Sequence, residues 1–519
     1  MKGKMMKKTV AFLFALSIVG GGIPQSTGLN RLPAAAGITA YAAGSVSYDE
    51  ATGTLTLKGN VDKDEVSQYY NAEKIVCEPG TVLPADCSRL FHFFHAKTID
   101  LSGADTSNVQ DMSEMFSYCH ATKINLSGID TSNVTNMRCM FEACVSLSDV
   151  DLSGLDTSNV TSMSGMFWKC SALQTIDVSG FNTSSVTSMY QMFRECESLS
   201  EIDLSGFDTS NVTNMAFMFE YCYKLPAIDL SGFDTSSVTD MKHMFQGCES
   251  LSEIDVSGFD TSAVTDMFFM FAYCSNLSAI DLSGFDTSKV TDMQGVFLHC
   301  SKLSTIDISS FDTSNVTKMT FMFSNCSNLS NIDVSGFDTS KVTEMRAMFE
   351  ECSELSDIDL TGFDTSNVTN MVRMFNGCTS LETIRVSDGW SMENVEESSD
   401  MFSGCTSLVG GGGTAFDEEH IGGEYATADE GGYLTLLQTP FDEATGILTL
   451  SGNVVAEEVK AYSGNGKVKR VVCKPGTVLP ADSSELFLNF KAERIDLSNA
   501  DTSNVTNMGG MFSGCNLAT

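Results

Sequence analysis

The sequence predicts an α/β solenoid in which each 26-residue rung supplies one short strand and one short helical turn. A cysteine recurs every 26 residues from Cys144 to Cys378, and a fixed period of this size is typical of stacked repeats that bury apolar faces only against their neighbours. Within a rung, apolar residues first alternate as in a strand and then recur at helical spacing. The ends of such a stack need capping units.

Each rung opens with the predicted strand. The copy at 201–226 reads EIDLSGFDTSNVTNMAFMFEYCYKLP, and in it Ile202 and Leu204 alternate with polar residues. Such alternation is typical of a strand that buries one face. The DTSN stretch at 208–211 then predicts a turn, because short polar side chains satisfy nearby backbone N–H groups.

The second half of the rung predicts a helix. Met215, Met218, Phe219 and Cys222 stand at i, i+3, i+4 and i+7, which places them on one face of a two-turn helix. The apolar burial that one rung can provide only approximates the entropy cost of ordering it. We therefore expect the stack to fold, and a single rung not to fold alone.

The N-terminus predicts export. Basic residues between Lys2 and Lys8 precede a short apolar stretch at 10–19, and the AYA sequence at 40–42 offers a small-x-small cleavage site. This order is typical of a secretory signal peptide, predicted at 1–42, with a membrane anchor as the alternative. We predict a secreted, cell-surface-associated protein with no transmembrane span in the mature chain.

The rest of the chain divides into caps, repeats and a restart. Residues 43–95 predict an N-terminal cap with a β-hairpin, a short helix at 62–70 and a degenerate rung. The 26-residue repeats occupy 96–383, and a last rung with a C-terminal cap occupies 384–437. From 438 to 519 the cap sequence restarts, because FDEATGILTLSGNV repeats YDEATGTLTLKGNV. This second module stops after one rung, so we expect the chain to be a fragment or the product of a truncated reading frame.

Charge and cysteine content narrow the function further. The net charge of −37 disfavours nucleic acid and anionic lipid, and it favours cations or basic partners. Export would suit a disulfide framework for the seventeen cysteines. However, equivalent positions on parallel rungs point the same way, which predicts buried free thiols. Cys77 with Cys87 is the candidate exception, although Ser483 replaces Cys87 in the second module.

The repeat consensus L-x-x-I-D-L-S-G-F-D-T-S-N-V-T-x-M-x-x-M-F-x-x-C resembles the BspA-like leucine-rich repeats of the DUF285 type. The resemblance covers most of 98–408 and also 495–515. It implies a bacterial surface protein that binds host or cell-surface proteins, extracellular matrix or other cells. The chain departs from the family pattern because it has neither a lipoprotein cysteine nor a visible wall-anchoring tail.

The exposed side of the predicted strand carries a row of aspartates, one per rung. They are Asp151, Asp177, Asp203, Asp229, Asp255, Asp281, Asp307, Asp333 and Asp359. Like charges one strand spacing apart repel by about 1 kcal/mol even in water. The row therefore predicts a surface for a basic ligand or for cations, with calcium as the candidate cofactor. The alternative is a solvated face whose charges are satisfied by neighbouring hydroxyl groups.

A second candidate surface is aromatic. On the outer face of the predicted helix, the central rungs carry aromatic residues where the flanking rungs have Arg, Glu, Gly, Ser or Ala. These residues are Phe217, Tyr221, Tyr223, His243, Phe268, Phe269, Tyr273, His299 and Phe321. Clustered exposed aromatic residues often mark interaction sites. Lateral packing along the outer wall of the solenoid explains them equally well.

Enzyme signals are weak. His92 and His95 have a metal-like spacing, but the second module has Leu488 and Lys491 there, so we interpret both as core or surface residues. Ser and Asp recur on nearly every rung, whereas a catalytic set should be unique. We predict no catalytic or metal site and expect a non-catalytic adhesin or protein-binding scaffold. The alternatives are a passive spacer on the cell surface and, less favoured, a secreted hydrolase.

Overall fold

The computed structural model describes residues 45–387, 389–429, 431–436, 441–442, 445–450, 454–474 and 477–515. The signal peptide predicted at 1–42 lies outside the described residues. Within them, the chain winds into a solenoid of stacked rungs.

Short strands mark the two ends of the repeats and the restart. The first strands are β1 (Val46–Asp49), β2 (Thr54–Leu57), β3 (Lys74–Cys77), β4 (Thr81–Val82), β5 (Thr98–Asp100), β6 (Ala104–Asp105), β7 (Lys123–Asn125), β8 (Asp149–Val150), β9 (Thr175–Ile176) and β10 (Glu201–Ile202). The later strands are β11 (Asp357–Leu360), β12 (Thr383–Val386), β13 (Leu434–Leu436), β14 (Phe441–Asp442), β15 (Ile447–Leu450), β16 (Arg470–Cys473), β17 (Thr477–Val478), β18 (Arg494–Asp496) and β19 (Ala500–Asp501). The helices are α1 (Lys63–Ser67), α2 (Ala456–Lys460) and a 3-10 turn at Gly423–Tyr425.

The first sheet stacks equivalent positions of successive rungs. Its order is β1-β2-β3-β5-β7-β8, and Ile99 pairs with Ile75 on one side and with Ile124 on the other. Within this sheet β1 alone runs antiparallel to its neighbour. The β1–β2 hairpin and the short helix α1 confirm the secondary structure predicted before the first rung.

The helix predicted in each rung is wrong. Residues 215–222 and their equivalents in the other described rungs are consecutive turns, which we call the turn wall. Phe217 and Tyr221 have φ angles of 60°, and a left-handed residue cannot continue an α-helix. The N–H groups of Phe217, Phe219 and Tyr221 donate to carbonyl oxygens of the next rung at 3.0, 2.9 and 2.7 Å. The fold is therefore a solenoid of stacked coils with very little helix.

The residues that suggested the helix nevertheless fill the core. Met215, Met218, Phe219 and Cys222 are all fully buried. The Phe219 ring stacks on Phe245 of the next rung, with centroids 5.8 Å apart and planes 6° from parallel. Repeated over the rungs, this contact makes a continuous column of phenylalanine rings, whose offset stacking stabilises the core.

All seventeen cysteines are free thiols. In the rungs the thiol donates to a backbone carbonyl of the preceding rung, as Cys248 Sγ does to Phe219 O at 3.3 Å. Burial raises the pKa of Cys248 to about 12. The candidate disulfide between Cys77 and Cys87 is wrong, since both are free and the Cys87 thiol donates to Pro84 O at 3.1 Å.

The face of the solenoid that carries the predicted strands changes along its length. We call residues 200–204 and their equivalents the strand face. Strand pairing is interrupted between β8 and β9, stops at β10 and resumes at β11, and the intervening residues 203–356 form no strand. The turn wall of the same rungs stays bonded throughout, for example through the bond from the Phe219 N–H to Met244 O. The middle rungs are therefore held together mainly through the turn wall.

The repeats end on a different structure. β12 pairs in parallel with β13. Tyr433 is 1% exposed and packs on the Phe402 ring at 5.3 Å, closing the ring column. The residues around Met401 are turns as in the other rungs, and Asp400 has a φ of 56°. In the residues described from 441 onward, β14, β15, β16 and β18 form a separate sheet over its own core cluster.

Candidate binding surfaces on the middle rungs

The strand face carries a groove across four successive rungs. Its volume is about 830 Å³. The floor is apolar, and it consists of Pro226, Ala227 and Ala279 together with four isoleucines. The rim is acidic, and its carboxylates belong to Glu201, Asp229, Glu253, Asp255 and Asp281. We call this the acidic groove; it contains three aspartates of the predicted row, Asp229, Asp255 and Asp281.

The aspartates of the strand face are individually satisfied within their own rungs. Asp229 accepts a hydrogen bond from the Ser231 N–H at 3.0 Å, and Asp255 accepts from both the N–H and the hydroxyl of Ser257 at 3.0 and 2.7 Å. The bond from the Ser231 N–H is the main reason why the pKa of Asp229 lies below its usual value. These hydrogen bonds favour the ionised form of each carboxylate.

The other predicted aspartates lie on the same face beyond the groove. Asp203, Asp307 and Asp333 are exposed, and Asp359 lies half-buried in β11. Asp151 and Asp177 are exposed as well. In the part of the chain that the structure describes, no group of three or more His, Cys, Asp or Glu side chains could hold a metal ion.

Seven of the nine predicted aromatic residues occupy two positions of the turn wall. They stand two and six residues after the first methionine of their rung, and their φ angles lie between 56° and 60°. These seven are Phe217, Tyr221, His243, Phe269, Tyr273, His299 and Phe321. The other two, Tyr223 and Phe268, contact their ring neighbours at 5.7 and 4.2 Å.

Flat side chains from five rungs form a continuous stack on the turn wall. The Arg194 guanidinium lies between the rings of Trp168 and Phe217, at 5.4 and 5.2 Å from their centroids. Phe217 stacks on His243 at 4.4 Å, and His243 stacks on Phe269 at 5.6 Å. We call these five residues the ring stack. Because the rings cover one another's faces, Phe217, His243 and Phe269 are half-buried.

Glycines make room where a ring lies flat on the next rung. A Cβ atom at Gly247 would overlap the Tyr221 ring, and one at Gly295 would lie 3.0 Å from the Phe269 ring. Tyr273 lies over His299 instead, at 4.6 Å. Phe321 stands apart from this group, with the Arg346 guanidinium 5.6 Å from its ring. Lateral packing, the alternative interpretation of the aromatic residues, therefore accounts for most of their contacts.

A buried ion pair lies beneath the ring stack. Glu220 is 3% exposed, its Oε2 contacts Arg194 Nε, and its Oε1 lies 3.8 Å from His243 Nδ1. His243 Nδ1 also contacts Gln246 Oε1, and Gln246 Nε2 donates to the Tyr221 hydroxyl at 3.0 Å. Burial raises the pKa of Glu220 to about 7, because desolvation outweighs the attraction of Arg194. Burial lowers the pKa of His243 to about 4.

The family assignment rests on the sequence of the repeats. A family model described as "Mycoplasma protein of unknown function, DUF285" matches residues 85–201, 146–254, 187–305, 225–331, 250–356, 296–412 and 479–518. Together these stretches cover well over half of the chain. The chain belongs to the DUF285 family.

Solved structures give more distant likenesses to this DUF285 chain. A leucine-rich repeat protein from Bacteroides ovatus is 18% identical, with a TM-score of 0.38, over 71% of this chain and 93% of that one. The functional domain of InlJ from Listeria monocytogenes, which includes a cysteine ladder, is 15% identical over 64% of this chain and 67% of that one, with a TM-score of 0.26. An internalin from Listeria monocytogenes is 10% identical over 65% and 88%, with a TM-score of 0.21.

None of the curated proteins matches the DUF285 chain. Across the ranges that the structure describes, no helix is both long enough and apolar enough to cross a membrane.

The structure also shows an exposed aromatic patch that the sequence did not single out. Tyr70, Phe93 and Tyr118 are 49, 54 and 40% exposed at the first rungs of this DUF285 chain. Phe93 stacks on Tyr118 at 4.8 Å, and His95 stacks on His120 at 4.9 Å. The alignment of Phe93 with Tyr118 is not evident in the sequence, because the spacing between the degenerate rung and the next rung differs from the regular period. A sequence signal exists, since the second module has Asn489 and Gly514 in place of Phe93 and Tyr118.

Proposed function

We propose that the chain is an exported, non-catalytic solenoid of the cell surface that binds proteins, as an adhesin or a binding scaffold. Its partners are proteins of a host or another cell surface, or of the extracellular matrix. The observation that carries this proposal is the acidic groove, a fixed surface whose five carboxylates have no ion-pair partner among the described residues. The buried residues build the stack, so binding falls to exposed residues that differ between rungs.

The turn wall is a second proposed binding surface. Of the nine predicted aromatic residues, Tyr273 exposes the largest share of its side chain, 39%. Since the ring stack supports the fold, replacing Phe217 or Phe269 would disturb packing as well as binding. Tyr273→Ser is therefore the cleaner probe of binding at this wall.

A pull-down with the full chain tests the proposal. Immobilised protein is exposed to extracellular matrix proteins and to intact cells at physiological salt, and specific capture of a protein is the expected result. A groove variant, in which four carboxylates of the groove are replaced by the corresponding amides, should capture less of it; these are Glu201, Asp229, Glu253 and Asp281. Capture of nothing from either source would overturn the proposal.

A passive spacer is the second candidate, and one observation favours it. The hydrogen bonds of the turn wall continue from rung to rung without a break, for example from Phe217, His243 and Phe269 N–H groups to the following rungs. A wall bonded in this way suits a stiff rod. The spacer predicts no partner in the pull-down, while turnover on a glycan or peptide panel would favour a hydrolase instead.

A further inference from the structure

We propose that the acidic groove binds an extended Lys- or Arg-rich segment of the partner protein, running across the rungs. This inference rests on the proposed protein-binding function and names the chemistry of the partner at that surface. Three properties of the groove carry it: its charge, its apolar floor and its length.

The charge of the groove is not balanced by the chain. Its lining has five carboxylates and no Lys, Arg or His. Elsewhere on the strand face the chain supplies its own cations, since Lys123 pairs with Asp149 at 3.1 Å and Arg385 pairs with Asp357 at 3.4 Å. None of the groove carboxylates has such a partner among the described residues. The middle of the strand face therefore attracts cationic groups more strongly than the two ends, where Lys123 and Arg385 already neutralise a carboxylate each.

The floor distinguishes a cationic side chain from a metal ion. Lys and Arg have aliphatic stems that lie on apolar surface while the charged head stays in a polar environment. Pro226, Ala227 and Ala279 offer that apolar surface between acidic rungs. A calcium ion needs six to eight oxygen ligands, and no described cluster of acidic side chains provides them.

The small residues also explain why the groove lies where it does. The position two residues before the row of aspartates is Glu201, Ala227, Glu253 and Ala279 in four successive rungs. Alanine in alternate rungs leaves space between the two glutamates. A cationic side chain placed over Ala227 would have Glu201 on one side and Glu253 on the other.

The backbone of these rungs offers further polar groups. No N–H group of residues 227–230, 253–256 or 279–282 donates a backbone hydrogen bond, whereas β11 and β12 pair along four residues. Backbone donors that are not used within the protein bind water or a ligand. Four rungs at strand spacing extend over about 15 Å, the length of roughly four extended residues.

The inference is tested with the full chain and a fluorescein-labelled octalysine peptide, with octaglutamate as the negative probe. The groove variant carries Glu201→Gln, Asp229→Asn, Glu253→Gln and Asp281→Asn. Asparagine preserves the turn, because Asn125 already accepts the Ser127 N–H at 3.1 Å in an earlier rung. A matched variant removes the same charge from the same rungs but outside the groove lining, at aspartates that each accept the N–H of the serine two residues on; it carries Asp208→Asn, Asp234→Asn, Asp260→Asn and Asp286→Asn.

By fluorescence anisotropy at 150 mM salt, we expect the groove variant to bind octalysine at least tenfold more weakly, and the matched variant to stay within twofold of the natural chain. Thermal melting checks that both variants fold. Equal weakening in the two variants would mean non-specific attraction to a polyanion and would overturn the inference, as would absence of octalysine binding to the natural chain.

The pull-down separates this inference from the proposed function. A captured partner that binds the groove variant as well as the natural chain would overturn the inference and leave the protein-binding function standing. Octalysine binding that depends on the groove, with no partner captured from matrix or cells, would contradict the proposed function and support the chemistry of the groove.

Discussion

The strand face and the turn wall of the middle rungs come from the same repeat, yet they are built differently. In the turn wall, N–H groups of Phe217, Phe219 and Tyr221 bond to the next rung, and flat side chains cover one another. On the strand face, the equivalent ladder is missing between β10 and β11, and carboxylates face solvent. One bonded wall and a packed core hold the rungs in register, which leaves the opposite face available for a partner.

Removing a phenylalanine ring from the core should cause the largest loss in the free energy of unfolding. Phe219→Ala interrupts the ring column beneath the turn wall, and deleting a buried phenylalanine costs about 3–5 kcal/mol. Urea denaturation measures the loss in the free energy of unfolding. The control is Phe93→Ala, because Phe93 is 54% exposed. A comparable loss in the two variants would contradict the role of the column.

Filling the space under one ring of the wall should have the next largest effect. Gly247→Ala places a Cβ against the Tyr221 ring at a φ of 75°, and the left-handed conformation alone costs about 1–2 kcal/mol. Gly258→Ala is the matched control, because nothing lies within 4 Å of its Cβ position. Thermal melting should show a clear loss for the first variant and almost none for the second. Equal melting temperatures would show that the wall tolerates displacement of its rings.

The ion pair beneath the wall should give a pH-dependent effect. Because burial raises the pKa of Glu220 to about 7 from an unfolded value near 4.5, its contribution to stability is complete below pH 4.5 and is lost as the pH rises through 7. Glu220→Gln should remove that loss, making the variant more stable than the natural chain at pH 8 by about 1–2 kcal/mol. Urea denaturation at pH 5 and pH 8 measures the difference. A variant that keeps the full pH dependence would show that another group is responsible.

The strand face should respond least. The four amide substitutions of the groove variant remove like charges from an exposed surface, so the free energy of unfolding should change by about 0.5 kcal/mol or less. The same variant should lose binding of a cationic peptide. If instead it unfolds more readily, the carboxylates stabilise the solenoid and the two faces are less different than the structure indicates.

The period and the core could be predicted from the sequence because burial repeats with the chain. Met215, Met218, Phe219 and Cys222 are all buried, but their i, i+3, i+4, i+7 spacing also arises when four side chains project inward from consecutive turns. Propensity does not reveal the left-handed conformation at Phe217 or Tyr221. A comparison of the rungs does, since Gly165, Gly247, Gly295 and Gly377 occupy the equivalent positions and share the positive φ.

The candidate surfaces were only partly predictable. The exposed row of aspartates follows from strand alternation, which places Asp203 and Asp229 outside while Leu204 and Leu230 are buried. The groove could not be predicted, because it depends on the missing ladder and on the space above Ala227 and Ala279. In the ring stack, Arg194 contacts Phe217 although the two residues occupy different positions of their rungs. A comparison of equivalent positions between rungs therefore does not reveal the stack.

The thiol-to-carbonyl bond has a consequence for how such a chain can grow. Each period cysteine from Cys144 to Cys405 bonds backward to the preceding rung, as Cys248 does to Phe219 O and Cys274 to Phe245 O, and needs no second cysteine. Duplicating or deleting one rung therefore adds or removes a complete set of contacts and leaves no thiol without its acceptor. A disulfide framework would admit only even numbers of cysteines. The length of this solenoid is thus free to vary one rung at a time, odd or even.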